Sequence, residues 1–166
     1  ENHNSVVMKI SYGKFDFYAG ADMQYDGRSY KSWKDIELPV ARVVGQVELM
    51  KANHHGVTNT NQEDAVKALN PQTIVICSWQ DLHPRTTVLE SMESAAPTAD
   101  FFITNFVTSP RSDKDISTEA AARVKGKNGH FLIRVSNGGE EYKVYTLSDS
   151  DGQLVVKSIS GPYKCR

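Results

Sequence analysis

Cysteine is nearly absent from these 166 residues, with Cys77 and Cys165 the two present. Two thiols exclude a disulfide framework and a cysteine-based zinc knuckle. Cys77 lies inside the run Thr73-Ile74-Val75-Ile76-Cys77, where a thiol reads as a small hydrophobe. An excess of charge is lacking too: nineteen basic against twenty acidic residues leave a net charge of -1 and no overall attraction for nucleic acid or a membrane surface. Arg123, Lys125 and Lys127 form a modest basic concentration, too small to define a groove that tracks a phosphate backbone. No apolar run approaches the eighteen or so residues that a membrane span needs. Repeats and low-complexity tracts are missing as well. What remains is ordinary globular material, with 39% hydrophobic residues to build the core of one domain.

The most informative stretch is Val47-Glu48-Leu49-Met50-Lys51-Ala52-Asn53-His54-His55-Gly56. A strand-like alternation runs into two adjacent histidines, which cannot share a face while the strand continues; Gly56 lets the backbone turn after them. One of the pair can therefore be aimed into a site. Neutral imidazole is the commonest protein ligand for zinc, and the loop after a strand is where sheet enzymes place such groups.

Upstream, Val6 to Tyr12 and Phe15 to Ala19 read as a hairpin closed at Gly13-Lys14, and the second strand delivers Asp22 beside Gly20 and Ala21. Small neighbours leave room for a close partner such as an ion, although a turn or capping role is the commoner one for an aspartate in such a place. Asp26-Gly27 signals a turn, Tyr30 to Asp35 a loop, and Ile36 to Val44 a short strand or helix around Pro39; Tyr30 and Trp33 are pocket or core-edge aromatics. Downstream, the spacing predicts a helix over Gln62 to Leu69 stopped by Asn70-Pro71, a buried strand over Thr73 to Ser78, a helix over Thr86 to Ala96 and a strand over Asp100 to Thr104. The polar loop Ser78 to Pro84 carries His83, a third candidate at the same sheet edge, or a hydrogen-bonded loop anchor. Residues 107 to 117 read as a polar connection and Thr118 to Val124 as a short helix. Antiparallel strands then cover Gly129 to Val135, Glu141 to Leu147 and Leu154 to Ile159, with turns at Asn137-Gly138-Gly139 and Asp149-Ser150-Asp151-Gly152. The last turn lacks the spacing and closing glutamate of a calcium loop.

Strand ends are where open α/β layers bind ligands, so Asp22, His54 or His55, and His83 point to one shared site. Their order, with Tyr12-Gly13-Lys14-Phe15-Asp16-Phe17-Tyr18-Ala19-Gly20-Ala21-Asp22, Lys51 to Gly56, Asn70-Pro71 leading to Ser78, and His83-Pro84, resembles the carboxy-terminal half of metallo-β-lactamase-fold hydrolases. It is most similar to the branch containing the hydrolase domain of the bacterial DNA-uptake competence protein and the phosphorylcholine esterases. The resemblance covers residues 2 to 105. It implies half of a four-layer αββα sandwich, a mixed sheet flanked by helices, with residues 1–105 as the carboxy-terminal half of the domain, 106–128 as linker and short helix, and 129–166 as an antiparallel extension of the same domain.

The resemblance further implies that Asp22 bridges two zinc ions, that His54 or His55 completes the second ion's ligands, and that His83 stands on the substrate side. His55 and His83 are then the candidates for catalysis. The family's His-x-His-x-Asp-His motif has no match among His3, His54, His55, His83 and His130, so the remaining ligands are expected from a missing amino-terminal half of the fold. Two further departures are Ala21 where glycine usually precedes the bridging aspartate, and Val57 where serine commonly follows the histidine pair. The implied activity is metal-dependent hydrolysis of a phosphodiester or phosphoester; the alternative is a non-catalytic binding or scaffolding domain that keeps the fold without metals.

Overall fold

A computed structural model describes residues 2–25, 35–80, 82–106, 116–150 and 152–166. The Asp26-Gly27 turn, Tyr30, Trp33, Asp151 and most of the 107–117 connection lie outside them. The described chain is mixed α/β, with a six-stranded mixed sheet, a three-stranded antiparallel sheet and four α-helices.

The hairpin opens the large sheet as β1 (Met8–Tyr12) and β2 (Phe15–Ala19), paired antiparallel. Then α1 (Glu37–Val44) leads into β3 (Leu49–Lys51), which runs parallel to β2. Of the two alternatives for residues 36–44 the helix forms, because Pro39 sits in its first turn, where a missing N–H costs nothing. Two βα units follow: α2 (Glu63–Leu69), β4 (Thr73–Ile76), α3 (Thr86–Ala95) and β5 (Asp100–Ile103), each strand parallel to the one before. Asn70 ends α2 in the left-handed conformation. After α4 (Thr118–Arg123) comes β6 (Val124–Lys127), a sixth strand parallel to β5. The sequence reading placed no strand there, since Val-Lys-Gly-Lys has neither alternation nor an apolar run; it forms because β5 offers a free edge. The small sheet is β7 (His130–Val135), β8 (Glu141–Leu147) and β9 (Val156–Lys164).

Strand alternation divides the core in two. Tyr18, Met50, Ile74, Ile76, Phe101 and Ile103 point to the helices, where they meet Ala41, Val66, Leu69, Leu89 and Met92. The intervening residues Phe15, Leu49, Val75 and Phe102 point the other way and are covered by Tyr142 and Val144 of β8. The layers are therefore helix, sheet, sheet, and the last strands share a core with the first. Burying this period-2 pattern on both faces is what fixes the register of β2 to β5. Because these strands are parallel, the loops after β2, β3 and β4 leave from one edge, and these are the loops that carry Asp22, the histidine pair and His83. Among the described residues no helix is long and apolar enough to cross a membrane.

Candidate functional site

The loop after β3 is shaped by left-handed backbone. Ala52 still donates its N–H to the Val75 carbonyl at 2.9 Å, as if the strand continued, and then His54 (φ 42°), His55 (φ 58°) and Gly56 (φ 74°) all take positive φ. Such residues turn the chain within a few bonds, and in histidine they carry a steric cost that surrounding contacts must hold. Gly56 is required for a second reason: a Cβ there would stand 2.7 Å from Cβ of Pro84. The glycine thus lets the His83-Pro84 loop close onto the histidine turn, and the Arg85 N–H donates to the Gly56 carbonyl at 2.9 Å.

The loop after β2 docks on the same turn. The His54 N–H donates to the Ala21 carbonyl at 3.0 Å, which joins the two loops through backbone. Ala21 is itself left-handed (φ 51°), so the conformation that usually asks for glycine is met here by alanine. Gly20 cannot carry a side chain, since a Cβ would lie 2.2 Å from Asn53 Oδ1 and 2.3 Å from the Tyr18 hydroxyl.

These contacts bring Asp22, His55 and His83 together and give the two histidines of the pair different partners, their ring centroids 5.9 Å apart. His55 Nε2 stands 3.8 Å from Asp22 Oδ1, and its Nδ1 is held by the main-chain carbonyl of Cys77. A carbonyl can only accept, so Nδ1 carries a proton, and Nε2 is the nitrogen turned toward the aspartate. His83 lies flat against His55, with ring centroids 5.6 Å apart and planes 2° from parallel. Burial, and then the neighbouring His55, His54 and Arg85, hold the His83 imidazole below its ordinary pKa, which keeps it neutral. Its Nδ1 is buried, with no hydrogen-bond partner among the described residues. His54 turns away: its Nδ1 is 3.3 Å from the Asn2 side-chain amide, which also donates to Gln24 at 2.7 Å.

For a cation, the fit is partial. An imidazole with its far nitrogen anchored to a carbonyl and its near nitrogen facing a carboxylate is the arrangement of a zinc ligand and its oriented neighbour. Asp22 and His55 are half-exposed, leaving room for further groups. Among the described residues no three histidine, cysteine, aspartate or glutamate side chains are placed to hold one ion together, His83 being stacked on the His55 ring, and zinc takes four ligands. An open polar groove of about 400 Å³ beside Thr58, Asn61, Gln62, Thr87 and Ser91 contains none of Asp22, His54, His55 and His83, so it is separate from this cluster.

Sequence reasoning missed the support behind the turn. Glu37, on α1, is 1% exposed and accepts from Asn53 Nδ2 (2.8 Å), the Asn61 N–H (2.8 Å) and the Gln62 N–H (2.7 Å). A lone acid between Ile36 and Leu38 was the available signal, because a charge amid apolar neighbours at the start of a helix is buried only when donors meet it. The Cys77 carbonyl left no sequence signal at all. The chain matches no protein family, and no curated protein matches it.

Proposed function

We propose that this chain is the carboxy-terminal half of a metallo-β-lactamase-like, metal-dependent hydrolase acting on phosphodiester or phosphoester bonds. The observation that carries this reading is the Asp22–His55 pair: Oδ1 and Nε2 are 3.8 Å apart at the edge where parallel strands end, with the imidazole oriented by a carbonyl. The helix, sheet, sheet layering supports it as three layers of the four-layer sandwich.

In this reading Asp22 and His55 are protein ligands of a dinuclear zinc site, and the other donors come from a His-x-His-x-Asp-His cluster outside these 166 residues. Zinc supplies Lewis acidity toward a phosphoryl oxygen and a hydroxide nucleophile at neutral pH. The chain's own residues do the rest. Cys77 fixes the His55 tautomer, Asp22 sets the charge opposite it, and neutral His83, stacked on His55, donates a hydrogen bond to the leaving or attacked oxygen. His54, turned toward Asn2, orients the amino-terminal segment and is not a ligand.

The test is metal analysis and phosphodiester hydrolysis on the intact polypeptide that carries this chain, beside Asp22→Ala and His55→Ala. Stoichiometric zinc and hydrolysis in the wild type, both lost in each variant, support the hydrolase. A wild type that binds no zinc and cleaves no phosphoester leaves the non-catalytic binding domain in its place.

A further inference from the structure

Glu37 is a buried carboxylate for which the described residues show no ion pair, a costly arrangement that persists only where hydrogen bonds compensate it. Its donors come from two segments. Asn53 immediately precedes the histidine pair, and Asn61 and Gln62 lead into α2.

The network closes on Asn53 from every side. Its N–H donates to Asn61 Oδ1 at 2.8 Å, its carbonyl accepts from Asn61 Nδ2 at 3.1 Å, and its Oδ1 accepts from the Tyr18 hydroxyl at 3.3 Å. Glu37 takes the remaining donor, Nδ2. The residue before two left-handed histidines is therefore held through all its polar groups, and its rotation about the backbone would carry His54 and His55 with it. An apolar side chain at position 37 would fill the space but leave three N–H donors unmet.

We propose that Glu37 is a positioning residue for the Asp22–His55 pair, setting the left-handed histidine turn through Asn53 and Asn61 without touching substrate or metal. The inference takes from the hydrolase reading only the choice of that pair as the site. Burial holds the Glu37 carboxyl above its ordinary range, partly countered by its donors from Gln62, Asn53 and Asn61, with Asp35 adding repulsion; Tyr18, the other titratable group bonded to Asn53, is pushed up to about 12 and stays neutral. Glu37→Gln keeps the shape and replaces one acceptor with a donor that faces N–H groups.

The experiment reads the His55 ring nitrogens by NMR in wild type, Glu37→Gln, and Val144→Ala, which weakens the distant contact between the sheets instead. The intact polypeptide also gives zinc affinity for each. Glu37→Gln is expected to shift the His55 ring resonances and to weaken zinc about tenfold, as loss of an outer-shell partner does, while Val144→Ala loses stability and leaves the ring signals in place. Unchanged His55 signals in folded Glu37→Gln overturn the proposal. Should Glu37→Gln not fold, Asn61→Ala removes the Asn53 clamp without altering a buried charge and is read in the same way. The ring signals need no metal, so a wild type that fails to bind zinc refutes the hydrolase reading and still decides the role of Glu37.

Discussion

His55 faces Asp22 with Nε2 while His54, one residue earlier, faces Asn2 with Nδ1. Adjacent histidines thus present opposite nitrogens to different partners across a turn of two consecutive left-handed residues. His55 Nδ1 is expected to carry a proton and His54 Nδ1 to accept one, because a carbonyl holds the first and an amide donor the second. Long-range ¹H–¹⁵N spectra distinguish them. Two identical tautomers would contradict the arrangement of the turn.

Ala21 offers a test by improvement. A left-handed alanine costs about 1 kcal/mol that glycine does not. Ala21→Gly (φ 51°) should therefore raise the melting temperature by about 2–4 °C. The His54 N–H to Ala21 carbonyl bond stays in place, so the His55 ring signals should not move. A lower melting temperature would mean that the loop draws on the alanine methyl in a way its exposure does not account for.

Gly20 and Gly56 should respond in the opposite direction. A Cβ at Gly20 meets Asn53 Oδ1 at 2.2 Å, and one at Gly56 meets Pro84 Cβ at 2.7 Å with φ already at 74°. Overpacking of this kind costs about 1–3 kcal/mol, so Gly20→Ala and Gly56→Ala should each lower the urea midpoint. Stabilities within about 0.5 kcal/mol of wild type would show that the loops do not close as tightly as described.

Much of this was legible in the sequence. Glu141–Leu147 carries the clean alternation that a half-covered strand needs, and both it and the hairpin strand Phe15–Ala19 form over those residues. Thr73 to Ser78 reads as a strand buried on both faces, and one forms over Thr73–Ile76. The sharing of one edge by Asp22, His55 and His83 followed from the order of strands and loops alone. Three things were not legible. β6 exists because of a neighbour's edge, which Val-Lys-Gly-Lys does not announce. The choice between His54 and His55 depends on backbone dihedrals, and period-2 reasoning stops where the strand stops. Glu37 lay in a segment ambiguous between strand and helix, and its role appears only when α1 is packed against two loops distant in sequence.

The pH dependence of stability should carry the mark of Glu37. Its carboxyl is raised above the ordinary 4.5 by burial, so the folded chain holds that proton more tightly than the unfolded chain. The contribution is fully present below pH 4.5 and is lost as pH rises through the raised value. The stability difference between wild type and Glu37→Gln, followed by urea unfolding across that window, should shift against the wild type as pH increases. A difference that moves toward the wild type instead would mean that the three N–H donors outweigh desolvation.

The most direct measurement is anomalous diffraction at the zinc edge from crystals of the intact polypeptide grown with zinc. The account predicts a peak about 2.0–2.2 Å from both an Asp22 carboxylate oxygen and His55 Nε2. A zinc ion ligated by His54 in place of His55, or zinc bound elsewhere with the Asp22–His55 pair bare, would contradict it.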